Sequence, residues 1–201
     1  EKTVMNRRKM IVCFALAVIL GICLAACSAG AQNQGSENAP DIANLDREET
    51  YPDVPGSLEV IYRDIAELER DADCIADVTV QNSEGIPLDG FPRTHSQAKV
   101  VTALKGDLKT GDVIEVIEEG GRTDKGEAIA GVPVMDAGST YILFLHRTDD
   151  AWFIVGAFQG KFIVKEGYVF QQATEETKIQ SYSPQKIEDF RESVATPDAW
   201  R

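Results

Sequence analysis

The sequence predicts a mostly β fold, a small antiparallel barrel with one helix before it and one after it. Three patterns point there. Seven short segments, apolar or alternating, are separated by Gly, Asp and Asn turn chemistry. One of them, STYILFLH, is apolar almost throughout. Two stripes of helical period flank the set. Many short strands would leave unpaired edges in an open sheet, and closing the sheet on itself removes them.

Each element has its own signal. Residues 57–71 read as a helix: Ser57 is a good N-cap, and Leu58, Ile61, Ile65 and Leu68 recur on one face. The first strand is IADVTVQ (75–81), with Ala76, Val78 and Val80 on one side. Residues 82–94 hold Gly85, Pro87, Gly90 and Pro92 and read as a loop. AKVVTAL (98–104) is the second strand, closed by KGDLKTGD, and DVIEVIE (112–118) is the third, ended by Gly120-Gly121. Residues 122–138 are polar and punctuated by Gly126, Gly131 and Pro133, a second long loop. STYILFLH (139–146) suits a strand buried on both faces. AWFIVGAF (151–158), KFIVK (161–165) and YVFQQ (168–172) follow, joined by QG and EG turns of hairpin type. A last helix is expected at 184–195, capped by Ser183 with Pro184 in its first turn and Ile187, Phe190 and Val194 on one face.

Ahead of these elements the chain reads MNRRK, then a charge-free apolar run of 17 residues from Met10 to Ala26, then Cys27. A basic start, an apolar run and small residues at a cut site make an export signal. Seventeen residues also sit at the lower limit for a membrane span, so length leaves a retained span open. Leu24-Ala25-Ala26-Cys27 resembles the lipobox of bacterial lipoproteins. That resemblance implies a diacylglyceryl group on the Cys27 thiol, cleavage after Ala26, and anchorage on the extracytoplasmic face of the cell membrane. The preceding EKTV reads as an upstream extension. Residues 28–56 lack apolar periodicity and read as a flexible tether. The expected organisation is a signal over 1–26, the lipidated cysteine and tether over 27–56, the β domain over 57–175 and a helical tail over 176–201.

Composition narrows the partners. Setting aside the four bases and one acid of residues 1–26 leaves 16 basic and 32 acidic residues, a net −16. A surface that acidic repels phosphate backbones and disfavours nucleic acid. With Cys27 taken by lipid, Cys74 has no cysteine left to pair with and reads as a buried thiol entering the first strand. ADVTV, then VVTALKGDLKTGDVIEVIEEGG, then AGSTYILFL and GKFIV resemble a group of bacterial secreted lipoproteins with an OB-like barrel of the netrin/TIMP type, over about residues 57–172. The resemblance implies an OB-like barrel. It does not carry over the inhibitory use of a free N-terminal cysteine amine on a protease zinc, because Cys27 is expected to be lipidated and lies some thirty residues before the barrel.

The residues that carry chemistry are few. His95 and His146 are the two histidines, and no G-x-S-x-G places a nucleophile beside either. Paired Cys or His at zinc spacing are missing from the sequence, and RTDD (147–150) and DREE (46–49) do not match a calcium loop. No catalytic residue, metal or cofactor is therefore expected. Binding surfaces concentrate on long loops held by a rigid scaffold, which puts forward 82–97, with His95, and 119–138, with Arg122. Most strand aromatics must fill the core. Trp152, beside the RTDD turn, is the best candidate among them for partial exposure, against the more general reading of core packing. The expected function is a lipid-anchored, non-enzymatic interaction module for an envelope protein or polymer. The alternatives are an envelope-associated hydrolase and a structural or stress lipoprotein without a specific ligand.

Overall fold

A computed structural model describes residues 60–87, 92–123, 126–129, 131–148 and 151–195. Cys27, its lipobox and the 28–56 segment lie outside the described residues, as do residues 57–59 with the expected Ser57 cap. Helix α1 spans Ile65–Asp71, starting later than the apolar spacing suggests. Its N-cap is Asp64, whose carboxylate accepts the Glu67 amide at 2.8 Å. Ile61 precedes the helix and is exposed.

Nine strands follow among the described residues: β1 (Cys74–Ile86), β2 (Arg93–Lys105), β3 (Val113–Thr123), β4 (Gly126–Ile129), β5 (Thr140–Thr148), β6 (Ala151–Ile154), β7 (Lys161–Lys165), β8 (Tyr168–Gln171) and β9 (Gln185–Lys186). Helix α2, Ile187–Ala195, comes last, so the expected Ser183 cap is displaced by a short strand. The stripe on α2 holds: Phe190 and Val194 are buried and Ile187 packs against the same cluster. No helix among the described residues is long and apolar enough to cross a membrane.

Two glycine-marked regions depart from expectation. The 82–97 region is mostly hairpin, since β1 runs on to Ile86 and β2 starts at Arg93. Gly85 is there for a close approach: a Cβ on it would lie 2.0 Å from the Arg122 carbonyl oxygen. Gly120 and Gly121 do have positive φ (98° and 141°), but they bend β3 within its length so that it continues into pairing with β4.

The strands pair in the order β1–β2–β3–β6–β5, and β5 pairs back to β1. The sheet is therefore closed on itself in part, but it is not the barrel expected from the sequence. Its closing seam, the parallel β3–β6 ladder, has only two residue pairs, Val116↔Trp152 and Ile117↔Phe153. The edge of β5 away from β1 is also shared, pairing with β7 at residues 140–143 and with β6 at 145–148. The sheet forks there. One branch turns through β6 to meet β3, and the other runs on through β7, β8 and β9. Three register shifts along β1 supply the bending that curling requires.

The fork divides the core in two. Inside the loop of strands lie Val78, Val100, Val116, Tyr141, Leu143, Leu145 and Trp152. On the far side of β1 and β5, helices α1 and α2 cover Ile75, Ile142, Phe144, Phe162 and Tyr182. Successive β5 side chains feed the two clusters alternately, so this strand is buried on both faces, as its composition predicts.

The strand loop also holds a partnered polar cluster. The Lys161 ammonium, 1% exposed, donates to Glu118 Oε1 at 2.6 Å and to the Pro133 carbonyl at 2.5 Å. Glu118 Oε2 accepts the Met135 amide at 2.8 Å, and Ser83 Oγ donates to the Met135 carbonyl at 2.9 Å. Buried Met135 is thus held by both backbone groups. Tyr141 Oη accepts the Asp136 amide at 3.1 Å, and burial pushes the phenol up to about 12. An unfolded tyrosine ionises near 10.0, so Tyr141 stays protonated in the fold after the unfolded chain has begun to ionise. Its contribution to stability is therefore complete below pH 10 and lost as pH rises towards 12. Urea midpoints measured across this window should fall more steeply for the natural chain than for Tyr141→Phe.

Candidate functional site

The best candidate surface is the outer wall of β2, β3, β6 and β5. Alternation sends Ala98, Val100, Ile114 and Val116 inward, which leaves their odd-numbered neighbours facing out. Register then aligns four residues from four strands: His95 opposite Ile117, Ile117 opposite Phe153, and Phe153 opposite His146. All four are half-buried. His146 stacks on Phe153 with ring centroids 5.7 Å apart and planes at 19°. His95 Nδ1 lies 3.1 Å from Glu115 Oε1. The result is an apolar centre with an imidazole at each end and a carboxylate at one side. Directly opposed pairs of this kind also support the sheet.

Beside this wall, at the incomplete β3–β6 seam, is a cleft of about 370 Å³. The first residues of β3 form one side, and Arg147 and Trp152 form the other. The Arg147 guanidinium lies 5.5 Å from the Trp152 ring centroid, a cation–π contact. Trp152 itself is buried, 6% exposed, with its body in the inner cluster. Of its two readings, core packing is the one that holds, and the ring shows an edge to the cleft. The open apolar side chain is Val113, 53% exposed. Asp107, Asp112 and Glu115 also line the cleft. Asp107 accepts the Cys74 thiol at 3.4 Å, and burial pushes that thiol up, so Cys74 is held protonated.

At the other end of β3, two hairpins lie side by side. Thr94 Oγ1 donates to the Gly120 carbonyl at 2.8 Å, the Gly120 amide donates to the Pro92 carbonyl at 2.8 Å, and Arg93 pairs with Glu119 at 2.8 Å. Arg122 is exposed on β3 opposite Glu127 of β4. The structure thus brings His95 to the outer wall and Trp152 to the cleft beside it, while Arg122 lies at the paired hairpins.

Sequence reasoning missed Glu115, Ile117 and Phe153 as neighbours of the two histidines, because the β2–β3, β3–β6 and β5–β6 registers together align them. It also missed the buried pair of Glu118 and Lys161. A signal existed: in DVIEVIE, Glu118 falls at the inward positions of Ile114 and Val116. Among the described residues no group of three or more His, Cys, Asp or Glu is arranged to hold a metal ion. Ser83 and Ser96 bond to each other at 2.8 Å, and Ser96 is buried on the inner side of β2, away from His95. Comparison with family models, with curated proteins and with solved structures finds no match.

Proposed function

We propose that this chain is a lipid-anchored, non-enzymatic interaction module on the extracytoplasmic face of the cell membrane. Its outer wall would bind an envelope protein or polymer. One observation carries the reading. The far faces of β1 and β5 are covered by α1 and α2, whereas the row from His95 to His146 lies half-exposed with no described element across it. The fold is read as OB-like on its strand order. A five-membered path closes through one parallel pair, and OB domains are partly open barrels that bind along the face of their second and third strands. The anchor is read from Leu24-Ala25-Ala26-Cys27, and two or more acyl chains give lasting attachment where one does not. The hydrolase alternative draws on the His95–Glu115 pair, but such a reaction also needs a nucleophile in reach of the imidazole.

Two measurements test the proposal. In its host the full chain should incorporate labelled palmitate and partition into detergent, and Cys27→Ala should lose both properties. Equal labelling of the variant defeats the anchor. A photo-crosslinking residue at position 117 of the full chain should trap an envelope component that the same probe at Glu175 does not. Identical products from both positions defeat the outer wall as a binding surface.

A further inference from the structure

We infer that the cleft at the incomplete seam takes an extended, cationic polypeptide segment, which adds as a strand to the free edge of β3 at Val113–Glu115. The inference rests on the interaction-module reading and gives its partner a chemistry. Backbone alternation supplies the first argument. The Gly120 amide bonds the Pro92 carbonyl, and the Val100 amide bonds the Asp112 carbonyl. Between these fixed points every second β3 residue (Ile114, Val116 and Glu118) turns its backbone groups towards β2. Val113 therefore directs both of its backbone groups to the opposite edge, and Glu115 its amide. The Glu115 carbonyl is the acceptor that opens the ladder with Trp152 of β6. The ladder with β6 begins only at Val116, so among the described residues no strand pairs with β3 below that point. A sheet edge with free donors and acceptors is a template for another strand.

Charge selects the occupant. Asp107, Asp112 and Glu115 line the cleft against one base, Arg147, which is engaged on Trp152. Basic side chains on the outward face of an added strand would meet Glu115, which shares that face with Val113. Apolar residues on its inward face would meet the Trp152 edge, while Asp107 and Asp112 add negative charge to the cleft. The chain itself is a poor occupant. Its 28–56 segment carries six acids and one base, and a second copy would bring the same net acidity. Like charges placed opposite one another oppose strand pairing.

The test uses full-length protein in a non-ionic detergent and a fluorescein-labelled, end-capped octapeptide of alternating lysine and valine, read by anisotropy. Binding should weaken with added salt. It should fall at least tenfold for the Asp112→Asn/Glu115→Gln protein, and at least tenfold for a peptide N-methylated at alternate residues, which cannot complete the ladder. Val113→Pro removes an edge amide and no β2 bond, so it should abolish binding while leaving the melt near that of the parent. If that variant unfolds, the N-methylated peptide still decides between strand addition and charge adsorption. Equal binding of the N-methylated peptide overturns strand addition, and equal binding of a glutamate–valine octapeptide overturns the charge argument. Absence of any peptide binding, with a position-117 crosslink still formed, overturns this inference and leaves the interaction module standing.

Discussion

Phe190→Ala should destabilise the domain by about 3–5 kcal/mol, the usual loss for emptying a buried phenylalanine site. The ring is fully buried on α2, at centroid distances of 5.1 Å from Phe162, 5.9 Å from Tyr182 and 6.4 Å from Phe144. Two of those contacts are edge-to-face, an arrangement that adds to the area term. An isolated helix of nine residues does not persist in water, so the packing holds the helix as much as the helix holds the packing. Arg191, one residue on, pairs with fully buried Asp77 of β1, which fixes α2 against the sheet. Set against a typical stability of about 5–15 kcal/mol, the change should be plain in a urea titration. A midpoint equal to that of the parent would remove α2 from the core of the fold.

Lys161→Met should rank beside it. Removing one member of a buried ion pair costs about 3–5 kcal/mol, because the partner is left charged and desolvated. Here the partner is Glu118, 5% exposed, which also accepts the Met135 amide. The prediction is non-additive: Lys161→Met/Glu118→Gln should be less destabilised than the sum of the single variants, as expected for groups in contact. Hydrogen exchange at the Met135 amide supplies a local readout, since that proton is sealed only while Glu118 stays in place. Additive losses, or an unchanged Met135 rate in Lys161→Met, would mean that the pair does not hold the 131–138 segment down.

Much of this architecture was legible because it depends on local pattern. KFIVK coincides with β7, the apolar run of β5 feeds two cores, and the Phe190–Val194 stripe is buried as its spacing requires. What escaped depends on pairing between distant segments. Glycine at 85 and 120–121 reads locally as turn punctuation, yet Gly85 makes room for the Arg122 carbonyl and the glycine pair bends a continuing strand. The helix start moved because Asp64 competes with Ser57 as a cap, and apolar spacing alone cannot rank two caps. The candidate wall was legible only as isolated residues. His95 and Trp152 stood out by type, but their neighbours are set by pairing with β3, antiparallel for His95 and a two-pair parallel ladder for Trp152, that no local pattern encodes.

The fork at β5 bears on the order in which the chain can fold. Thr79 meets Thr140 across 61 residues, and the Arg147 amide reaches Asp73 across 74. Contacts so distant along the chain make for slow folding, because loop closure must come before the pairing that rewards it. A ribosome delivers β1, β2 and β3 well before β5. Until β5 arrives, that three-stranded meander has an unpaired edge and both apolar clusters incomplete. A nascent chain that stops short of residue 140 should therefore associate with others of its kind, whereas one that has passed residue 165 can seat β5 against β1, β6 and β7 together.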